Sequence, residues 1–269
     1  ICAMLKNISS FQNPLIKKIL LLQEKSKERK KSSLFIIEGK REIKLAIKGG
    51  YKMNTILFCS DIISESEVSN LLNIDFNNRI EISFEVYKKI AYRTSTEGII
   101  AISESKNLAI IDLKLKDHNQ LILVAEAPEK PGNIGAILRT ADAANVDAVI
   151  IANPKTDLYN PNIIRSSIGC VFTNTIAIGN TPEIITFLKN NNISIYSAIL
   201  QESEPYYTCN FKESIAIVVG TESTGLSQQW RDDSKKNIHI PMQGEIDSMN
   251  VSVAVGILLF EVKKQRNFN

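Results

Sequence analysis

Three short stretches of this sequence gather residue types able to orient and hydrogen-bond a ligand. The first, AEAPEKPGNIGAILRTADAAN, sets Asn133 at a predicted helix N-cap. Arg139 follows six residues later, roughly 9 Å along the helix axis. Helical side chains lean toward the amino terminus, so an extended Arg139 can return its guanidinium toward Asn133. The second, IAIVVGTESTGLS, holds Glu222 between Gly220 and Gly225, where a backbone can approach a ligand closely. The third, NIHIPMQGEIDSMNVSVAVG, carries Ser248 as a predicted N-cap and Asn250 in the first turn of the helix that follows. Amides, a hydroxyl, a carboxylate and a guanidinium suit binding and alignment. His118 and His239 are the two histidines, so neither a Ser-His-Asp triad nor a multi-histidine metal is expected. Cys2, Cys59, Cys170 and Cys209 lack CxxC spacing, which predicts no zinc site and no disulfide framework.

Each stretch stands at a strand-to-helix corner, where ligands bind in open α/β sheets. The supporting strands read as 121–126, 147–152, 193–199, 215–220 and 237–242, continuous apolar runs that suit a parallel sheet covered on both faces. Helices are predicted over 133–144, 160–167, 182–190, 227–233 and 249–264. The last is apolar on nearly every side, as a helix buried on two faces must be. One face is assigned to the sheet and the other to a second copy of the chain, so a homodimer is expected; a fully internal helix in a monomer is the alternative. Read singly, the corners also fit a capped helix with a surface arginine and a plain glycine-rich turn.

The first hundred residues form a separate α/β pattern, with helices over 14–23, 40–48, 65–72 and 85–91 and short strands at 34–37, 55–58 and 99–102. A polar, charged stretch between Ser103 and Asn119 marks the boundary, giving domains 1–106 and 107–269. The 269 residues are 44% apolar and 23% charged, which excludes disorder as the main state. No apolar run is long enough to predict a membrane span. No charged stretch followed by an apolar block opens the sequence, so a cytoplasmic protein is expected. Residues 1–3 precede the first methionine and are left out of the fold reading. Net charge is +3, but residues 1–52 hold 13 Lys and Arg against 4 Asp and Glu, while the remainder holds 19 against 25. The basic end points to a polyanion, nucleic acid first. Its alternative is a solvated helix face at Lys25, Lys27, Arg29, Lys30 and Lys31.

Three motifs in order then carry a resemblance: N-x-G-x-x-x-R-T-A at Asn133 to Ala141, G-x-E-x-x-G-L at Gly220 to Leu226, and I-P-M at 240–242 followed by S-x-N-V-S-x-A at 248–254. Together they resemble the SpoU family of RNA ribose 2′-O-methyltransferases, of the SPOUT class. The stretch YNPNIIRSSIG (159–169) resembles the family's N-P-x-x-x-R-x-S-x-G segment, and EGIIAI (97–102) is similar to the closing strand of a small ribosomal-protein-like RNA-binding domain. The resemblance implies an α/β chain with that amino-terminal domain followed by a SPOUT α/β domain, a parallel sheet with a carboxyl-terminal trefoil knot. It also implies S-adenosylmethionine as cofactor, held through Gly220, Thr221, Ile240, Met242 and Met249.

In this reading the catalytic set is Asn133, Arg139, Glu222, Ser248 and Asn250. A guanidinium stays protonated, so Arg139 is given the role of gripping an RNA phosphate and orienting the ribose hydroxyl. Asn133, Ser248 and Asn250 would hold Arg139 and the ribose, and Glu222 would fix its loop. Arg165, Lys30, Lys31, Lys40 and Arg41 are the candidate RNA contacts. Asn145 stands where many members have glycine, and asparagine tolerates the same left-handed cap. Ribosomal RNA is the expected substrate, because the added amino-terminal domain goes with that branch. The alternatives are a tRNA 2′-O-methyltransferase, a non-catalytic RNA-binding or ribosome-assembly protein of the same fold, and a Rossmann-type nucleotide enzyme, against which stands the missing glycine fingerprint.

Overall fold

The computed structural model describes residues 6–72, 78–92, 97–116, 119–221, 224–246 and 248–268. Its chain begins β1 (Lys6–Ile8), α1 (Pro14–Glu24), α2 (Ser26–Ser32), β2 (Leu34–Glu38), α3 (Lys40–Lys48) and β3 (Met53–Phe58). It continues with α4 (Glu65–Leu72), β4 (Arg79–Ile82), α5 (Phe84–Ile90) and β5 (Ile99–Glu104). Then come β6 (Leu121–Glu126), α6 (Pro131–Ala143), β7 (Ala148–Ala152), α7 (Pro161–Ser166), α8 (Cys170–Thr173) and β8 (Ile176–Gly179). The chain closes with α9 (Thr181–Asn190), β9 (Ser194–Ala198), β10 (Glu204–Pro205), β11 (Ile215–Val219), α10 (Gln228–Asp233), β12 (Lys236–His239) and α11 (Val251–Gln265).

Contacts divide these elements into two compact units, residues 1–106 with 157–173, and residues 107–156 with 174–269. The first crossing falls where the polar stretch begins. The segment 157–173, expected with the second unit from its place in the chain, packs in the first. Two contacts explain this. Gly49, at the end of α3, lies so close to α8 that a Cβ there would stand 2.1 Å from the Phe172 carbonyl oxygen. Asp157 meets the Arg29 guanidinium at 2.5 Å, with both side chains nearly out of water.

That ion pair corrects the expectation for Arg29. Its neighbours Lys30 and Lys31 are exposed, but Arg29 is buried. Its Nη1 donates to the carbonyls of Leu22 at 2.6 Å and Gln23 at 3.1 Å, two of the orphan acceptors at the end of α1. A helix that is basic by composition therefore spends one cation inside the unit. The sheet of this unit runs β1-β4-β3-β5-β2, with β5 antiparallel to both its neighbours. Phe35 stacks on Tyr159 at 4.3 Å between ring centroids, and Tyr51 meets Phe172 edge-on at 5.0 Å. Burial, together with the Tyr159 hydroxyl beside it, raises the Tyr51 phenol well above its ordinary range, so it remains a neutral hydrogen-bonding group.

The second unit is a seven-stranded sheet in the order β10-β12-β9-β11-β6-β7-β8, parallel in every pairing. β6, β7 and β11 are buried along their whole length, as a sheet covered on both faces requires. Trp230 of α10 is fully buried in the same core as Ile122, Val124, Ile150 and Val218. α11 packs on α6 and β11. Val255, Leu258, Leu259 and Val262 of α11 are buried, whereas Val253 is 53% exposed and Phe260 42%. Among the described residues, no helix is long and apolar enough to cross a membrane.

Candidate active site

β6 ends in a carboxylate. Glu126 is buried, and three donors satisfy it: Ser227 N at 2.8 Å and Ser227 Oγ at 2.8 Å, with Thr181 Oγ1 at 2.9 Å. Thr181 Oγ1 in turn accepts from Asn153 Nδ2 at 2.9 Å. The end of β6 is thus laced to the connections that follow β7, β8 and β11. Ser227 occupies the N-cap position of α10, but its hydroxyl serves Glu126 rather than the helix. The signal in the sequence was an acid closing an otherwise apolar strand, and its partner lies 101 residues away.

After β11 the chain turns sharply back on itself. Thr221 N donates to the Gly225 carbonyl at 3.3 Å, and Gly225 N donates to the Thr221 carbonyl at 3.1 Å. Thr224 N donates to Thr221 Oγ1 at 3.0 Å. A Cβ on Gly220 would stand 2.3 Å from the carbonyl carbon of Gly225, so this turn admits only glycine there. Gly225 itself has φ +65°, the left-handed region. Glu222, between them, lies outside the described residues.

α6 starts two residues earlier than expected, with Lys130 as N-cap and Pro131 at the first helical position. Proline suits that position, since its fixed φ fits and its missing N–H would be an orphan there. Asn133 therefore sits inside the first turn instead of capping it. A second correction concerns α11, whose N-cap is Asn250, with Ser248 two residues outside. Asn250 Oδ1 accepts from Ser252 N at 3.0 Å and Ser252 Oγ at 2.6 Å. Its Nδ2 donates to Asn133 Oδ1 at 3.3 Å, joining the first and third motifs across 117 residues. Asn145 has φ +48° after α6, the left-handed cap foreseen for it.

Two clefts open at the carboxyl ends of β6, β9 and β11. One, of about 110 Å³, is lined by Pro128, Lys130, Asn133, Gly220, Thr221 and Val251 among others. The other, of about 430 Å³, is walled by Gly220, Thr221 and Thr224 to Leu226, by Leu200 and Gln201, and by Ser248, Met249 and Val251. They share Val219, Gly220, Thr221 and Val251, and the smaller one adds Asn133, so the three motifs meet at one place. Of the residues singled out, Asn133, Gly220, Thr221, Ser248 and Met249 line these clefts. Arg139 is exposed on α6 and lines neither. Ile240 and Met242, half-buried in the loop after β12, also lie outside both linings. In the first unit Arg165, Lys30, Lys31 and Arg41 are exposed and Lys40 is half-buried, with Lys40 Nζ 3.5 Å from Glu67 and Arg41 Nη2 3.5 Å from Glu42.

A Gly220→Ala variant is expected to displace the turn and to weaken any ligand of the larger cleft at least on the order of tenfold, since the added methyl must push backbone and not a flexible side chain. Isothermal titration with S-adenosylmethionine checks this; unchanged affinity would show that the turn does not shape the cleft.

A family model described as the SpoU rRNA Methylase family matches residues 120–260, and one described as an MRM3-like substrate binding domain matches residues 13–101. The chain is 28% identical over 259 residues to the 23S rRNA (guanosine(2553)-2′-O)-methyltransferase of Bacillus subtilis, covering 96% of this chain and 100% of that protein. Among solved structures, an RNA 2′-O ribose methyltransferase is 34% identical, with a TM-score of 0.83 over 97% of this chain and 99% of that one. An AdoMet-bound rRNA methyltransferase from Sinorhizobium meliloti is 26% identical, with a TM-score of 0.88 over 97% and 98% of the two chains.

Proposed function

Because this chain belongs to the SpoU rRNA methylase family, we propose that it transfers the methyl group of S-adenosylmethionine to a ribose 2′-hydroxyl of RNA, with ribosomal RNA as the substrate. The observation that carries this reading is the meeting of Asn133, the Gly220 turn and the Ser248–Val251 segment at the carboxyl ends of parallel strands. Two of the three relatives named above are rRNA methyltransferases by name, which supports ribosomal RNA over tRNA.

The larger cleft suits the cofactor. Its volume is within the range of small-molecule sites. Its walls combine Gly220, Thr221, Thr224 and Gly225 with Leu200, Met249, Val251 and Ala254, a polar edge beside apolar faces as a purine nucleoside needs. When bound, the cofactor supplies an electrophilic methyl group on a sulfonium. The chain's own task is then alignment and the handling of one proton. Holding two reactants in attack geometry is worth about 7–11 kcal/mol, which is why such a site works without a histidine. Asn133, which lines the smaller cleft, and Asn250, which donates to it from outside both linings, offer their amide groups to the ribose. Arg139 holds an adjacent phosphate, and a phosphate oxygen or water takes the hydroxyl proton, since a guanidinium keeps its own. Glu222 fixes the turn between Gly220 and Gly225. Gly220, Thr221 and Met249 hold the cofactor, joined in this reading by Ile240 and Met242. Lys30, Lys31, Lys40, Arg41 and Arg165 meet RNA from the first unit, here assigned to substrate binding.

The exposed Val253 and Phe260 on α11 support a homodimer formed through that helix, and the trefoil knot of the carboxyl-terminal segment and a cytoplasmic location belong to the same reading. Phe260→Glu is expected to convert a dimer to a monomer in sedimentation velocity. A monomeric unmodified chain would remove the dimer from the proposal. The function itself is tested by mapping ribose-methylated positions in total RNA with and without the protein. New methylation in ribosomal RNA is expected. A gain confined to tRNA would move the substrate, and no gain together with no cofactor binding would leave an RNA-binding protein of this fold.

A further inference from the structure

In the first unit, Gln23, Glu38, Tyr92 and Arg165 gather around one small cleft with the apolar Ile36 and Ile164. Tyr92 is 47% exposed, yet the backbone around it is held in two places. Its own N–H donates to Oε2 of the buried Glu38 at 2.7 Å, and the Ile90 carbonyl accepts from Gln23 Nε2 at 2.6 Å. The Arg165 guanidinium stands over the ring, 5.6 Å from its centroid. Arg165 Nη2 also donates to Asn162 Oδ1 at 3.1 Å, which limits the rotation of its plane. Asn162 is placed by its own N–H, which donates to the N-cap Asn160 Oδ1 at 2.9 Å. Much of the ring remains in water, so core packing is not what this anchoring serves. Lys88 and Lys89, exposed in the last turn of α5, add positive charge a few residues before Tyr92.

We propose that Tyr92 and Arg165 form a stacking platform for one unpaired nucleobase of the RNA substrate, with Lys88 and Lys89 drawing the adjoining phosphates. The proposal rests on the RNA reading above and adds to it a residue-level contact. A fixed aromatic face beside cations is the arrangement that binds single strands, because every base offers a π-face and every nucleotide a phosphate. Both members are planar, so the guanidinium adds a second stacking surface that a lysine ammonium lacks. The bond to Asn162 presents that plane and not merely a charge. In a duplex the bases are covered by their neighbours, so the platform discriminates against paired RNA.

The test measures the full chain binding a short single-stranded RNA oligonucleotide of mixed sequence, and the blunt duplex of the same sequence, by fluorescence anisotropy. Tyr92→Ala is expected to weaken single-strand binding on the order of tenfold. The salt slope, the duplex affinity and the S-adenosylmethionine affinity should all stay unchanged, because no charge and no cleft residue of the second unit is altered. Tyr92→Trp is expected to keep the affinity, and its indole should be quenched by the single strand; the chain's one natural tryptophan, Trp230, is fully buried, so no base can stack on it and it adds a constant background. Undiminished single-strand binding by Tyr92→Ala, an equal loss on the duplex, or an unquenched Trp at this position would each overturn the platform while leaving the methyltransferase reading standing. An unmodified chain that binds neither RNA nor cofactor would overturn that reading and the platform with it.

Discussion

An Arg139→Lys variant is expected to bind RNA and S-adenosylmethionine as the unmodified chain does and to lose kcat by on the order of a hundredfold or more. Lysine keeps the positive charge, so attraction to the phosphate backbone survives. What it lacks is the planar fork that grips a phosphate through two parallel hydrogen bonds. In the proposed mechanism that grip sets the angle of the ribose hydroxyl, and a small error in that angle is costly because alignment supplies most of the acceleration. The position of Arg139 fits this division. It lies outside both clefts, on the exposed side of α6, where in the proposed mechanism it meets the polymer. Single-turnover methylation, with separate binding titrations, checks the prediction. Full kcat in the lysine variant would assign Arg139 to nonspecific attraction alone.

The second large effect concerns stability. Asp157→Asn is expected to destabilise the chain by about 3–5 kcal/mol, seen as a lower midpoint of the first unfolding transition in urea. The Arg29 and Asp157 side chains are 4% and 7% exposed, so removing one charge strands the other in a medium that cannot solvate it. The double variant Arg29→Met, Asp157→Asn should recover part of the loss, because no lone cation remains buried. Recovery will be incomplete, since Arg29 also satisfies the Leu22 and Gln23 carbonyls at the end of α1. If the double variant recovers nothing, a stranded Arg29 charge is not what destabilises the single variant. RNA binding should fall together with stability in the single variant, because Arg165 is carried by the segment that Asp157 opens.

Element positions were largely legible from local pattern. The helix at 40–48 and the strand at 121–126 have the limits their periodicity predicts, and the strand at 215–219 ends one residue early. β1, β4, β8 and β10 went unread because runs of two to four residues carry too little alternation to stand out from loops. The cap assignments moved by a few residues for a related reason. Several residues near each helix start could cap it, and the choice among Ser248, Asn250 and their neighbours is made by which side chain finds a partner, here Asn133.

Residue type and short-range spacing were enough to mark the three strand-to-helix corners, the glycines that their turns require and the family to which they belong. Those features depend on φ/ψ preferences and on hydrophobic period, both written within a few residues of chain. The burial of Arg29, the bonding of Glu126 by Ser227 and Thr181, and the passage of residues 157–173 into the first unit depend on partners 55 to 128 residues away. A side chain's charge is a local property, but whether it meets water or a counter-ion is a property of what the folded chain packs against it.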